Sequence, residues 1–292
     1  MELQKSYRDT ADACRVYLLP NLFTAGNLFF GFLAILRFIQ AKYGALVGHG
    51  STIDYYSQGM WCIVLAAILD FFDGRLARSS GRTSLFGAEF DSLADLVSFG
   101  VAPALLVFFL ILSPSPGNYP EYLDSLFIKF GWLVGFIYLL CCAGRLARFN
   151  VLTLPLLPRS AKHGRTRDSI GLPVTAAAGV IVAMATILIH ADMPLLFAGL
   201  LLPFMLLVSL FMVSAIPFPV FKYITWGLRT GLWTFICCAS LVALVIFFST
   251  YSIAIVFLGY LFASLIRYGR MLRRKEKNLA TVEPPPSDVG HG

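Results

Sequence analysis

The chain has 292 residues, of which 58% are hydrophobic and 13% are charged, and its formal net charge is +7 at pH 7. A mean hydropathy of +0.76 excludes an ordinary soluble domain and indicates a polytopic membrane protein. The excess of Lys and Arg fits a membrane topology signal and attraction to anionic headgroups, so we expect no nucleic-acid partner.

Eight apolar runs are long enough to cross a bilayer as helices. They occupy residues 20–39, 59–78, 89–112, 128–148, 171–190, 193–214, 230–249 and 251–267. The predicted fold is therefore all-α, a polytopic membrane protein with about eight transmembrane helices. We expect a cytoplasmic N-terminal segment at 1–19, a transmembrane domain at 20–274 and a disordered cytoplasmic tail at 275–292.

Positive charge is distributed unequally between the connections of these runs. Of the 23 Lys and Arg residues, all but Arg37, Lys42 and Lys129 lie at the termini or in alternate connections on one side. Positive residues are enriched in the cytoplasmic loops of membrane proteins. We therefore predict that both termini, and the connection that follows the second run, lie on the cytoplasmic side of the cell membrane.

The first run begins with polar residues that a plain membrane span does not need. Asn21, Thr24 and Asn27 are spaced by three, so they share one face of a helix. One interpretation is local, in which Asn21 caps the helix and Thr24 bonds to the backbone. The other is that this face binds a ligand, and the sequence alone leaves both open.

Four aspartates lie where the second run ends and the third begins. Asp70 and Asp73 follow helical spacing on the second run, and Asp91 and Asp95 are four apart on the third. Gly74, Ala77 and Arg78 share the face of Asp70 and Asp73, while Gly87 shares the face of Asp91 and Asp95, which Ser84 and Ser98 extend at its two ends. A short basic turn at 79–86 joins the two helices, so we expect a hairpin with its acidic faces together.

Carboxylates at a membrane boundary need compensation, because a charge at the centre of a membrane helix costs about 2.5–3.5 kcal/mol. Hard divalent cations supply it, and all-oxygen ligation favours Mg²⁺, Mn²⁺ or Ca²⁺ over zinc. Gly74, Ala77 and Gly87 leave space for a large ligand beside the carboxylates. The Arg78 guanidinium offers a fork that suits a phosphate oxygen.

Two other interpretations of the acidic hairpin compete with this one. Structural ion pairs would hold a hairpin together, but acids outnumber bases on the inward faces and glycines lie between them. A divalent-cation transporter would also carry acids within the membrane, but it would place them near the bilayer centre on broken helices. The acids here lie at one boundary on a tight hairpin, which disfavours transport.

The fourth run ends in Arg145 and Arg148, which are three apart and level with the aspartates in the predicted topology. As isolated residues they would be membrane anchors whose side chains extend to the headgroups. Beside an acidic metal site they are also candidates for binding an anion.

The aspartate segment resembles the signature of the CDP-alcohol phosphotransferase family. The pattern is Asp-x2-Asp-Gly-x2-Ala-Arg-x8-Gly-x3-Asp-x3-Asp, and its specified positions are met by Asp70, Asp73, Gly74, Ala77, Arg78, Gly87, Asp91 and Asp95. So many positions at fixed offsets make a specific signal. The resemblance implies a six-helix core within the eight predicted helices, and a homodimer.

Later segments resemble the integral-membrane branch of the family that uses L-serine as its acceptor. They are Asp95–Ala104, Arg145–Asn150, Gly171–Pro173 and Val213–Lys222, and the resemblance covers about residues 19–222. Two segments depart from that branch, because 169–170 lacks the expected aromatic residue and 216–219 replaces a more polar stretch. The signature by itself also fits another alcohol acceptor or an archaeal lipid donor.

The resemblance implies transfer of a phosphatidyl group from CDP-diacylglycerol to the serine hydroxyl, with release of CMP and with the acyl chains left in the bilayer. In such a mechanism Asp70, Asp73, Asp91 and Asp95 hold two Mg²⁺ or Mn²⁺ ions, and Asp95 also acts as the general base. The residues implied in binding the CDP-lipid are Asn21, Thr24, Asn27, Gly74, Ala77, Arg78, Ser84 and Gly87. Those implied in binding serine are Ser98, Arg145, Arg148 and Lys222.

Overall fold

The computed structural model describes residues 18–47, 51–79, 85–111, 121–153, 169–190, 199–214, 216–218 and 251–280. Its helices are α1 (Leu18–Val47), α2 (Thr52–Ser79), α3 (Leu85–Asp95), α4 (Ala102–Ile111), α5 (Glu121–Thr153), α6 (Val174–His190), α7 (Leu201–Val213) and α8 (Tyr251–Ala280). A π-helical turn, Leu96–Val101, joins α3 to α4. Two short strands, β1 (Ser169–Ile170) and β2 (Pro217–Phe218), pair antiparallel.

Several of these helices are suited to a membrane. Four stretches are long and apolar enough to cross one, namely Asn21–Gly44, Thr52–Gly74, Phe86–Ile111 and Phe130–Val151, and two shorter apolar helices are Val174–His190 and Leu201–Val213. Large apolar side chains such as Phe29, Leu93 and Phe136 point outward and are more than half exposed. An outward apolar surface of this kind fits contact with lipid, and the chain is an integral membrane protein.

The predicted all-α class is confirmed, since the described part of the chain is helical apart from short connections and the two-residue strands. The first five predicted runs overlap described helices, and of the sixth, 193–214, residues 201–213 form α7 while residues 193–198 lie outside the described part of the chain. The run at 230–249 lies outside the described residues, and the run at 251–267 begins α8, which continues to Ala280. The count of eight spans and the domain boundaries remain predictions, although residues 275–280 of the predicted tail are helical.

The third long membrane helix changes its winding directly after Asp95. The Ala102 N–H donates to the Val97 carbonyl, five residues back instead of the usual four. Pro103 favours this wider turn, because it has no N–H and its ring would clash with the carbonyl four residues earlier in a regular helix. The turn buries Ser98, whose hydroxyl donates to the backbone carbonyl of Asn27 in α1 at 2.9 Å.

Helix α1 packs along α2 and approaches the π turn at Gly31. A Cβ at position 31 would lie 2.7 Å from the Cα of Ser98 and would overlap the Ser98 hydroxyl oxygen. Glycine therefore allows the two backbones to approach closely, as small residues do between membrane helices. This approach brings the polar face of α1 against the aspartates of α2 and α3.

Gly31→Ala is expected to destabilise the protein by roughly 1–3 kcal/mol, the usual effect of overpacking. The matched control is Gly259→Ala on α8, where an added Cβ meets no atom within 4 Å. Thermal unfolding in detergent should show a lower melting temperature for Gly31→Ala alone. Equal melting temperatures for the two variants would contradict the close contact between Gly31 and Ser98.

The β1–β2 pair connects the chain before α6 with the chain after α7. Gly171 follows β1 with a φ of 84°, and a Cβ there would overlap the Met212 carbonyl oxygen, so the position requires glycine. The Gly171 N–H donates to the Ile216 carbonyl at 2.9 Å, and the Leu172 N–H donates to the Phe211 carbonyl at 3.0 Å. The two segments that depart from the serine-using branch therefore meet in one small ladder.

Candidate active site

The carboxylates of Asp70, Asp91 and Asp95 converge between α2 and α3. One oxygen from each lies within 4.8 Å of the other two. Asp70 and Asp91 are half-buried, and Asp95 is only 7% exposed. The spacing of these residues predicted that two acidic helix faces would meet, and that prediction is confirmed for these three carboxylates.

Asp73 lies beside this group, about one turn along α2 from Asp70. It is buried and interacts electrostatically with Asp91 and Asp70. The Thr24 hydroxyl of α1 donates a hydrogen bond to its Oδ2 at 3.1 Å. Its other oxygen, Oδ1, is buried and has no hydrogen-bond partner among the residues that the structure describes. A buried oxygen in this state calls for a further partner, and a cation would satisfy it.

Asp95 is held by α1. The side-chain amide of Asn27 donates to Oδ1 of Asp95 at 2.9 Å, and Asn27 is completely buried. The Ser98 hydroxyl in turn donates to the backbone carbonyl of Asn27. These contacts form a chain from the π turn through α1 to Asp95, and they fix the orientation of its carboxylate.

The donor set fits a hard divalent cation. The group within 4.8 Å consists of carboxylates alone, and oxygen ligands are those that Mg²⁺ and Mn²⁺ prefer. Like charges this close repel one another unless a cation lies between them. The buried Oδ1 of Asp73 supplies one more oxygen beside the group. The residues therefore fit the metal site that the sequence predicts.

The other residues predicted to bind the CDP-lipid lie on the helices that carry the aspartates or on α1. Asn21 is half-buried and lies three residues after α1 begins, so it is inside the helix and not at its N-cap. Gly74 and Gly87 are half-buried near the aspartates of α2 and α3, and Ala77 and Arg78 belong to the last turns of α2. The predicted site residues that lie outside the described residues are Ser84 and Lys222.

Arg145 and Arg148 of α5 have different surroundings. Arg145 is half-buried and interacts electrostatically with Asp95 and Tyr260. Arg148, three residues further along, is exposed. The structure therefore brings Arg145 to the edge of the aspartate site and leaves Arg148 at the protein surface.

Two residues near the site were not predicted from the sequence. Cys142 is completely buried and lies three residues before Arg145 on α5. Tyr260 approaches Arg145 from α8, which packs against α6. A signal for the inward face of α8 exists in the helical spacing of Phe257, Tyr260, Leu261 and Ser264. Spacing alone, however, does not say which helix this face contacts.

A second polar cluster joins α3 to α5 outside the carboxylate group. The Asn150 amide donates to the Ser92 hydroxyl at 2.9 Å and to Oε2 of Glu89 at 3.3 Å. The Ser92 hydroxyl also donates to the Ala88 carbonyl at 3.0 Å. These bonds tie the two helices together near the site.

The fold and the site together define a class of protein, namely an all-helical membrane protein in which carboxylates from consecutive helices converge. Residues 17–214 match the model of the CDP-alcohol phosphatidyltransferase family, and the chain belongs to that family. It is therefore a membrane-embedded phosphatidyltransferase, and the family predicted from the aspartate signature is confirmed. Membership of this family supports an enzyme and not the cation transporter that the sequence had left as an alternative.

Several relatives align with most of the chain. A CDP-diacylglycerol–serine O-phosphatidyltransferase from Helicobacter pylori is 36% identical over 220 residues, which are 73% of this chain and 77% of the relative. A protein of the same name from Saccharomyces cerevisiae is 34% identical over 60% of this chain and 58% of its own length. An archaetidylserine synthase from Methanothermobacter thermautotrophicus is 32% identical over 69% of each chain.

Proposed function

We propose that this protein transfers the phosphatidyl group of CDP-diacylglycerol to the hydroxyl of L-serine, forming phosphatidylserine and CMP. The observation that carries the proposal is the convergence of Asp70, Asp91 and Asp95 in a chain of this family. The serine acceptor is supported by the similarity to bacterial, yeast and archaeal relatives that are all named for serine.

The four aspartates would hold the metal. In this proposal Asp70, Asp73, Asp91 and Asp95 bind two Mg²⁺ or Mn²⁺ ions, which when bound neutralise charge on the diphosphate and on the departing CMP. The support is the all-carboxylate group and the buried Oδ1 of Asp73. The contribution of the chain is to keep these carboxylates together at the meeting of α2 and α3.

The transfer step needs a base, because the serine hydroxyl is a weak nucleophile at neutral pH. The Asp95 carboxylate accepts the hydroxyl proton while the serine oxygen bonds to the phosphatidyl phosphorus and the bond from phosphorus to the CMP oxygen breaks. Burial of Asp95 and its hydrogen bond from Asn27 support this role, since both keep the carboxylate in one orientation.

The nucleotide end of the donor would lie along the hairpin of α2 and α3. Gly74, Ala77 and Gly87 leave that wall free of bulk, and Arg78 and Ser84 would bind the diphosphate and the ribose. The acyl chains would remain in lipid beside the helices. Two α1 residues of the predicted lipid site, Thr24 and Asn27, instead donate hydrogen bonds to Asp73 and Asp95.

The serine carboxylate needs a cation, and Arg145, Arg148 and Lys222 are the candidates. The electrostatic interaction between Arg145 and Asp95 supports Arg145, because a bound serine must present its hydroxyl to Asp95. The contacts of Ser98 do not support its predicted role in binding serine, because it is fully buried and its hydroxyl donates to the Asn27 carbonyl.

Arg148→Ala is expected to raise the apparent KM for serine by roughly tenfold, about the value of a charge-assisted hydrogen bond, and to change the KM for CDP-diacylglycerol much less. Arg145→Ala should raise the serine KM further, because this cation lies beside Asp95. Steady-state kinetics in mixed micelles measure both constants. The control is Arg37→Ala on α1, which bonds to Gln40 at the surface and should leave both unchanged. A raised lipid KM with an unchanged serine KM would place Arg148 on the donor.

The arrangement in the cell follows from charge and from the family resemblance. We propose that both termini and the aspartates face the cytoplasm, because nearly all Lys and Arg lie on that side of the predicted spans. We also propose a homodimer, with one transmembrane domain at 20–274 between a cytoplasmic segment at 1–19 and a tail at 275–292.

The proposed function is tested by incubating the purified protein in mixed micelles with labelled L-serine, CDP-diacylglycerol and Mg²⁺. We expect serine-dependent release of CMP and a labelled lipid on thin-layer chromatography, both lost when the metal is chelated. Glycerol 3-phosphate, inositol phosphate and choline each replace serine in parallel reactions, and turnover with one of them but not with serine would contradict the acceptor. An isoprenoid CDP-lipid in place of CDP-diacylglycerol tests the archaeal alternative, since one of the relatives is an archaetidylserine synthase.

A further inference from the structure

One face of α1 contacts two aspartates that belong to two different helices. The Thr24 hydroxyl donates to Asp73 of α2 at 3.1 Å. The Asn27 amide, three residues further along α1, donates to Asp95 of α3 at 2.9 Å. The spacing by three that makes these residues share a face therefore pairs each of them with a different carboxylate.

Both of these α1 side chains are buried, unlike residues on a surface that contacts a ligand. Thr24 is 4% exposed and Asn27 is fully covered. Asn27 is also fixed through its backbone, because its carbonyl accepts the Ser98 hydroxyl at 2.9 Å. In this packing, therefore, neither side chain presents more than a few per cent of its surface to a bound nucleotide.

We propose that Thr24 and Asn27 are positioning residues that orient Asp73 and Asp95, and that they do not contact the CDP-lipid. The inference rests on the proposed function only in treating these two aspartates as metal ligands. Each donor occupies Oδ2 of Asp73 or Oδ1 of Asp95 and so fixes where the remaining oxygen points. Because the donors come from α1, the first helix sets the geometry of a site carried by the next two.

Orientation matters because an aspartate carboxylate rotates freely about its Cβ–Cγ bond unless a neighbouring group holds it. Hydrogen bonds from groups behind the ligands orient them, and losing such a bond typically costs about 10–100-fold in metal affinity or activity. Thr24 and Asn27 supply neutral donors, which compensate part of the negative charge without competing for the cation. The expected loss is therefore in metal binding and turnover, and not in recognition of the nucleotide.

Asn27→Leu and Thr24→Val remove the donors while keeping side-chain size. The matched controls are Asn150→Leu, which removes an amide bonded to Ser92, and Thr186→Val, which removes a buried hydroxyl bonded to the Met60 sulfur. Binding of Mn²⁺ is measured directly from the free-ion signal in electron paramagnetic resonance. Turnover kinetics then give kcat and the KM for CDP-diacylglycerol at saturating metal.

For Asn27→Leu we expect Mn²⁺ affinity or kcat to fall by about 10–100-fold, with the lipid KM at saturating metal nearly unchanged. Thr24→Val should show the same pattern, and both controls should match wild type. A raised lipid KM with unchanged Mn²⁺ affinity and kcat would overturn the proposal, and so would wild-type behaviour in both variants. If Asn27→Leu does not fold, as judged by its melting curve, Thr24→Val decides the outcome by the same criteria. Wild-type protein that binds Mn²⁺ but does not use serine would refute the proposed function alone, because the Mn²⁺ titration still tests the role of α1.

Discussion

Asp91→Asn is expected to abolish turnover and to leave a folded protein. Asp91 places a carboxylate oxygen within 4.8 Å of those of Asp70 and Asp95, so its charge belongs to the group that would bridge the metal ions. Asparagine has nearly the same volume, and the half-buried position tolerates an amide. The substitution therefore removes a metal ligand and not core packing.

The measurement is serine-dependent release of CMP by the purified variant at saturating Mg²⁺, with a melting curve as the test of folding. Glu89→Gln, two residues earlier on α3, is the matched control, because this exposed side chain accepts a hydrogen bond from Asn150 in the second polar cluster, outside the carboxylate group. It loses one negative charge, as Asp91→Asn does, and should retain activity. Normal turnover by Asp91→Asn would contradict the two-metal assignment.

Asp95→Asn is expected to lower kcat by at least about 10²–10⁴, the usual contribution of a general base. The variant keeps an oxygen that can accept the Asn27 hydrogen bond, so the contact between α1 and α3 should survive. Binding of CDP with metal should survive as well, because Asp70, Asp73 and Asp91 retain their carboxylates.

Calorimetric titration of CDP into purified Asp95→Asn at fixed Mg²⁺ separates the base from a pure metal ligand. Near-native affinity for CDP together with lost turnover supports the base. Asp73→Asn provides the contrast, since loss of a ligand that is not the base should weaken CDP binding and turnover together. A parallel loss of both in Asp95→Asn would make Asp95 a metal ligand only.

The sequence was a good guide to the helices and to the aspartates, for physical reasons. A bilayer requires long apolar runs, so α1 to α7 could be placed from hydropathy before any contact was known. Helical spacing also put Asp91 and Asp95 on one face, opposite Asp70 across a short turn. The sequence did not predict the change in helix winding after Asp95, because the π turn at Leu96–Val101 depends on the packing of Ser98 as well as on Pro103.

The polar face of α1 is a second feature that the sequence could not fully predict. Spacing placed Asn21, Thr24 and Asn27 together, but it left capping and ligand binding as the alternatives. The structure shows a third arrangement, in which Thr24 and Asn27 bond to Asp73 and Asp95. Local patterns describe neighbours along one helix, and they carry no information about the helix that lies opposite.

The sequence by itself determined the membrane class, the family and the set of carboxylates, because hydropathy and fixed spacing act within single helices. Only the tertiary structure decided which residues orient those carboxylates. Thr24 and Asp73 are 49 residues apart, and Asn27 and Asp95 are 68 apart. Their hydrogen bonds exist because Gly31 lets α1 approach the backbone at Ser98. The electrostatic interaction of Arg145 with Tyr260 likewise depends on where α8 packs, since the packing of whole helices sets distances between residues far apart in the chain.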